Sequence, residues 1–364
     1  MIIIGGCLVV IFVTFIAIMK SKKPLNLIMA EAKYEMVYNA MGSRALIQDW
    51  LMSGSNKIDL ISQTGRVAVI TGGARGIGAE VVKMLMKCDM KVIIGCRNVQ
   101  TAQLLEKKYR DEGIDKGNIE IFQLDISSSD SVKKFASEVT EKHDKIHYLI
   151  NNAGIMFGPR IETRDGFESQ FSTNYLGHFL LTHLLLESLK KAGDEKCYSR
   201  IVNVASCAHI AGTINFEDIN SRSRYISSEA YAQSKLAQIL FTNYLDALFR
   251  KEGLHIQAHS VHPGIVNTEL FDGTHLKNIA PWFPNLMFKT PEQGARPIVH
   301  ACISPELERK GGTYIHNCKI FPTSELARDE DLQKKLFEFT NTLIGIQEIW
   351  PKNLKSSTCT KCTC

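Results

Sequence analysis

Arg66-Val67-Ala68-Val69-Ile70-Thr71 runs directly into Gly72-Gly73-Ala74-Arg75-Gly76-Ile77-Gly78 and then into the apolar-periodic stretch from Val81 to Met86. The first block reads as a buried strand, the glycines as a tight turn, and the third block as the start of a helix. In that order they form a βα unit suited to a dinucleotide. Glycine lets backbone approach a pyrophosphate, whose charge is met by the N–H groups and positive dipole end of the helix. A glycine motif alone would be weak evidence; the strand before it and the helix after it give it weight.

Outward from this unit, strands and helices alternate from about residue 62 to 316 of the 364-residue chain with no linker-like break. The expected fold class is α/β: one Rossmann-type, doubly wound parallel sheet with helices on both faces. No internal repeat interrupts it. The net charge of +5 is modest and lacks a dense basic stripe, which argues against a nucleic-acid partner.

Tyr231-Ala232-Gln233-Ser234-Lys235 carries the most telling chemistry. Four residues apart on a helix, the phenol and the ammonium share one face. A neighbouring positive charge favours phenolate, so Lys235 is expected to lower the Tyr231 pKa and let the phenol act as general acid or base in an alcohol–carbonyl interconversion. Taken alone, such a spacing is common on ordinary amphipathic helices.

The glycine spacing is TGxxxGxG, and with Tyr231 and Lys235 it resembles the short-chain dehydrogenase/reductase family. Further marks follow in order. Asp125 closes the strand-like 119–124, Asn151-Asn152-Ala153-Gly154 follows the apolar 146–150, and Pro263-Gly264 precedes Thr268. The resemblance implies a catalytic set of Asn174, Ser206, Tyr231 and Lys235. It implies a cofactor site made by Thr71, Gly72, Arg75, Gly76, Ile77, Gly78, Arg97, Asp125, Asn152, Ala153, Gly154, Pro263, Gly264 and Thr268, together with Tyr231 and Lys235. Asn174 would hold a water linking Lys235 to solvent, and Ser206 would bond the reacting oxygen. The strings 163–168, 174–182, 230–237 and 288–295 resemble the retinol-dehydrogenase branch, especially its polyprenol-oxidising members, over about residues 62–348. His209, in the longer stretch between Ser206 and Tyr231, is left outside the catalytic set.

Charge bears on the choice of cofactor. An NAD-preferring fold places an acid at the end of its second strand, whereas here Lys91 to Cys96 ends in Arg97. A guanidinium there suits a 2′-phosphate, and Arg75 in the glycine turn could reach the same group. NADP(H) is therefore favoured, with NAD(H) left open if Arg97 merely ends a strand in solvent.

The two ends differ from the rest. Residues 1–19 are almost wholly apolar and are followed by Lys20, Lys22 and Lys23, which reads as an uncleaved transmembrane anchor with the catalytic domain in the cytosol. By family analogy the membrane is that of the endoplasmic reticulum, and a lipid-droplet surface is equally compatible. Residues 20–61 form a juxtamembrane segment that either lies in the membrane interface or packs on the domain. Residues 349–364 form a tail with one CxxC pair, which lacks the partner pair and the histidine of a zinc site, so no metal is expected. Cysteines scattered singly fit a reducing compartment.

The segment from Leu270 to Phe288, with Phe271, Trp282 and Phe283, is strongly apolar for a loop and suits a lipid-soluble substrate such as a polyprenoid, a retinoid or a steroid. An NADP(H)-binding or sensing protein with incidental turnover is the alternative class. The family resemblance also raises a homodimer through the helices carrying Asn174 and Tyr231.

Overall fold

The chain is described by a computed structural model that covers residues 25–272, 277 and 282–346. Helix α1 (Leu25–Leu51) comes first, followed by β1 (Val67–Thr71), α2 (Gly76–Lys87), β2 (Lys91–Cys96), α3 (Val99–Asp111), β3 (Asn118–Gln123), α4 (Ser129–Lys142) and β4 (Tyr148–Asn151). A short α5 (Ser169–Phe171) passes through a π-helical turn, Ser172–Leu176, into α6 (Gly177–Leu184) and α7 (Leu186–Ala192). Then come β5 (Ser199–Val204), α8 (Ser227–Lys251), β6 (Ile256–His262), α9 (Phe283–Met287), α10 (Pro291–Ile303), β7 (Thr313–His316), β8 (Lys319–Phe321) and α11 (Glu330–Leu343).

The sheet order is β3-β2-β1-β4-β5-β6-β7-β8, parallel except for β8. Because β1 pairs with β2 on one side and β4 on the other, the winding reverses between them. That reversal opens a crevice beyond the carboxyl ends of the strands, where ligands of such sheets bind. Central strands are buried on both faces, which is why they read as continuous apolar runs rather than alternating ones. One core lies under α4, α6, α8 and α11, with Phe135, Phe179 and Phe241. The other lies under α2, α3 and α10, with Leu85, Tyr109 and Ile298.

Two findings refine the expectations. Helix α1 packs on the domain through Ala45, Leu46 and Asp49 while Met29, Met36, Trp50 and Leu51 face outward. Helix α11 lies over α6 and α8: Phe337 stacks on Phe179 and Tyr244, and the Tyr175 hydroxyl meets Thr340 Oγ1 at 2.8 Å. The apolar segment 1–19 and the tail 349–364 lie outside the described residues, and no helix among the described residues is long and apolar enough to cross a membrane. Six cysteines among the described residues, including Cys88 and Cys302, are free thiols.

Candidate active site

Helix α8 presents Tyr231 and Lys235 on its buried face, as their spacing requires, with the ammonium 5.6 Å from the ring centre. Lys235 Nζ donates to Val204 O at 2.8 Å and Gln238 Oε1 at 2.9 Å. Burial holds its pKa down to about 7, so ammonium and amine are both populated near neutrality. Burial also pushes the Tyr231 phenol upward, opposed by a hydrogen bond with Ser206. The expected lowering by Lys235 is therefore not what this structure holds: desolvation of the phenolate is the largest effect and outweighs the one that lowers it, the Ser206 hydrogen bond.

Asn174 sits in the π-helical turn and is fastened on every side. Its Nδ2 donates to Ile155 O at 3.0 Å and Ser234 Oγ at 2.9 Å, its Oδ1 accepts from Ile155 N, and Ser234 Oγ in turn donates to Tyr231 O. A π-turn inside a helix re-aims its residues and recurs at functional sites. Ser206, just past β5, accepts from Ala208 N at 3.2 Å. Asn174, Ser206, Tyr231 and Lys235 are thus brought together at one end of the sheet.

The glycine turn is held to the segment after β4 by Thr71. Its Oγ1 accepts from Asn152 N and Ala153 N and faces His178 Nε2, while Asn152 Nδ2 donates to Thr71 O and Gly72 O. The side chains of Thr71 and Asn152 therefore brace the site from behind. Gly78 is dictated by contact: a Cβ there would lie 2.2 Å from Gly72 O and 2.7 Å from Asn152 Nδ2. Gly72 and Gly76 have φ of +68° and +55°, which side-chain-bearing residues rarely adopt. Ile77 packs against the core under α2, and a Cβ on Gly154 would sit 3.2 Å from Asn174 Oδ1 and 3.8 Å from Lys235 Nζ.

At the outer end of the crevice, Arg97 is exposed and has no polar partner among the described residues. Arg75 Nη1 pairs with Glu269 Oε2 at 2.5 Å, both side chains being more than half exposed. Asp125 accepts from Ser127 N and Ser127 Oγ, forming the turn after β3. Thr268 starts the short turn Glu269–Phe271 by accepting from Leu270 N, and Pro263-Gly264 follows β6 directly.

A profile of the short chain dehydrogenase family matches residues 66–278. The human polyprenol dehydrogenase is 39% identical over 78% of this chain and 86% of its own length. The chain belongs to the short-chain dehydrogenase/reductase family, in its retinol dehydrogenase branch. Retinol dehydrogenase 12 of Mus musculus is 38% identical over 78% of this chain and 87% of its own. The crystal structure of an uncharacterised Mycobacterium paratuberculosis protein superposes with a TM-score of 0.62 at 32% identity, covering 79% of this chain and 96% of that one. This short-chain dehydrogenase/reductase is accordingly an NAD(P)-dependent oxidoreductase. Its crevice fits the cofactor: two glycines at positive φ and a third with no room for Cβ bring backbone close, and Arg75 at the start of α2 makes no side-chain cap over the first N–H groups.

Sequence reasoning missed three features of the site. Helix α1 roofs it: Tyr34 OH donates to Ala211 O at 3.0 Å, Ser228 Oγ donates to Glu35, and Tyr38 and Tyr231 each lie 6.0 Å from the Phe157 ring between them. Phe157 is held at φ +63°, a strained conformation for a bulky residue. The i, i+4 pair Tyr34 and Tyr38 was the available signal. His209 proves to be a brace, with Nδ1–H donating to Ser206 O at 2.7 Å and Nε2 accepting from Ser324 N at 3.3 Å. His178 does the same between Asn174 O and Thr71 Oγ1.

Both histidines are neutral, because their second nitrogen must accept. Burial holds each pKa down to about 4 from an ordinary 6.5. An unfolded chain then binds more protons between those values, so the stability each contributes is fully present above pH 6.5 and lost as pH falls towards 4. The urea midpoint of the full chain is expected to fall steadily from pH 7 to pH 4; a midpoint that stays flat across that window would contradict neutral, accepting imidazoles.

Proposed function

We propose that this protein interconverts a lipid-soluble alcohol and its carbonyl compound, of the polyprenoid or retinoid kind, using NADP(H) in preference to NAD(H), while held at a membrane with its catalytic domain in the cytosol. The observation that carries the reading is the convergence of Tyr231, Ser206, Asn174 and Lys235 at the crevice beside the glycine turn. The names of the polyprenol and retinol dehydrogenases among the relatives support the substrate class.

Bound in the crevice, the nicotinamide would supply or accept the hydride. Tyr231 gives a proton to the carbonyl oxygen in reduction and takes it from the alcohol in oxidation. Ser206 shares a hydrogen bond with that oxygen and with the phenol. Lys235, poised between its two protonation states, passes the proton on, and Asn174 fixes the path by holding Ser234, which in turn holds the Tyr231 carbonyl. Tyr34, Tyr38, Met156 and Phe157 form an apolar wall beside the phenol. The outward Trp282 and Leu286, with the outer face of α1, extend apolar surface towards a bilayer. Of the remaining apolar segment, 273–276 and 278–281 lie outside the described residues.

The test is NADPH or NADH oxidation by the detergent-solubilised chain offered a polyprenal, all-trans-retinal or a steroid ketone. Turnover of a lipid aldehyde supports the reading; cofactor binding without turnover of any of them would replace it with a binding role. Arg97→Ala is expected to weaken NADPH by about tenfold or more, the worth of a charged hydrogen bond, and to leave NADH unchanged. Equal loss for both cofactors would remove Arg97 from 2′-phosphate recognition.

A further inference from the structure

Helix α1, which precedes the region matched by the family profile, drives one carboxylate into the domain. Asp49 is 7% exposed and four donors converge on it: Ile265 N at 2.9 Å on Oδ2, with Lys289 Nζ at 2.7 Å, His316 Nε2 at 2.7 Å and Asn317 Nδ2 at 3.3 Å on Oδ1. Lys289 Nζ also donates to Asn317 Oδ1 at 2.5 Å and reaches Pro263 O at 3.4 Å. The backbone of Lys289 pairs with the same stretch, donating to Ile265 O and accepting from Asn267 N. Gly264 closes around the carboxylate at φ +92°, where a Cβ would stand 2.7 Å from Asp49 Oδ2 and 2.4 Å from Lys289 Nζ.

We infer that Asp49 is a positioning residue for the cofactor, holding in shape the segment 263–268, which the family resemblance sets against the nicotinamide half of the dinucleotide. The inference rests on the dinucleotide reading above and adds a residue from outside the family domain to it. Burial pushes the Asp49 carboxyl up, but the His316 hydrogen bond and the Lys289 charge prevail and hold it below the usual carboxylate range, so it is ionised. A buried ion pair is a poor source of stability, since desolvation offsets the attraction. What this one supplies is direction: a single rigid group fixes the loop after β6, the entry to α10 and the β7–β8 turn relative to one another. Asp49, His262 and His316 bring ligand-capable atoms within 4.8 Å of one another, as a metal site would. Lys289 already stands there as the counter-charge, and a divalent ion beside a buried ammonium would be repelled.

The experiment uses the full chain and two ligands: NADPH, which spans the crevice, and adenosine 2′,5′-bisphosphate, which lacks the nicotinamide half. The variants are Asp49→Ala and the charge-balanced Asp49→Ala with Lys289→Met, both checked for folding by circular dichroism. NADPH affinity is expected to fall about tenfold in each folded variant, as for a lost hydrogen bond to a charged group, with the bisphosphate unchanged. Equal weakening of both ligands, or of neither, overturns the inference, because a general structural loss does not select the nicotinamide end. Recovery of NADPH affinity in the double variant also overturns it, assigning the effect to a stranded Lys289 charge. If Asp49→Ala fails to fold, the double variant decides. Wild-type protein that binds neither ligand would refute the dinucleotide reading and this inference together.

Discussion

Tyr231→Phe is expected to lower kcat by about 10²–10⁴-fold, the usual worth of a positioned general acid or base, while cofactor affinity stays within about twofold. The separation follows from geometry. Phenylalanine keeps the ring that packs 6.0 Å from Phe157 and 5.6 Å from Lys235 Nζ, so the walls of the crevice do not move. What it removes is the one hydroxyl that meets Ser206. Since burial pushes the phenol up, the resting group carries its proton. A variant retaining a tenth or more of wild-type turnover would dismiss Tyr231 as the proton carrier, and stopped-flow hydride transfer with a lipid aldehyde reads this directly.

Lys235→Met is expected to cost activity by about 10²-fold or more and yet to leave the fold no less stable at pH 7. The wild-type ammonium is buried, with its pKa held down to about 7 from 10.5. At 1.36 kcal/mol per unit, that burden is of order 5 kcal/mol at and below pH 7. Against it stand the acceptors Val204 O and Gln238 Oε1, which each lose their donor at about 1–3 kcal/mol, about 2–6 kcal/mol together. The two terms are of similar size, so the loss of charge offsets the loss of the hydrogen bonds. Because the unfolded chain binds more protons between pH 7 and 10.5, wild-type stability rises with pH across that window and the variant's does not. The Tm of Lys235→Met relative to wild type is therefore highest at pH 7 and falls towards pH 10. A Tm lower than wild type at pH 7, with no such fall, would show that Lys235 is a structural cation rather than a strained functional one.

These effects were legible to different degrees. Strand–glycine–helix order from Arg66 to Met86 announced the βα unit because glycine tolerance and apolar runs are local properties of a chain, and the unit lies where it was read. Tyr231 and Lys235 were legible as a pair because helix periodicity alone puts them on one face. The direction of the phenol's shift was not, since desolvation depends on what closes over α8 from β5, α1 and the loop after β4. The same holds for His209: on paper a loop histidine, it is a neutral brace because the Ser206 carbonyl and the Ser324 amide happen to face its two nitrogens.

Local order along the chain thus determined the α/β class, the glycine turn of the crevice and the placing of Tyr231 and Lys235 on one helix face, since each follows from neighbours a few residues apart. Tertiary structure alone decided that α1 roofs the crevice, that Asp49 reaches across more than two hundred residues to Ile265, and that α11 covers the faces of α6 and α8. Those contacts depend on which apolar and charged surfaces meet after folding, and a weakly periodic helix such as α1 carries no mark of the partner it will bury against.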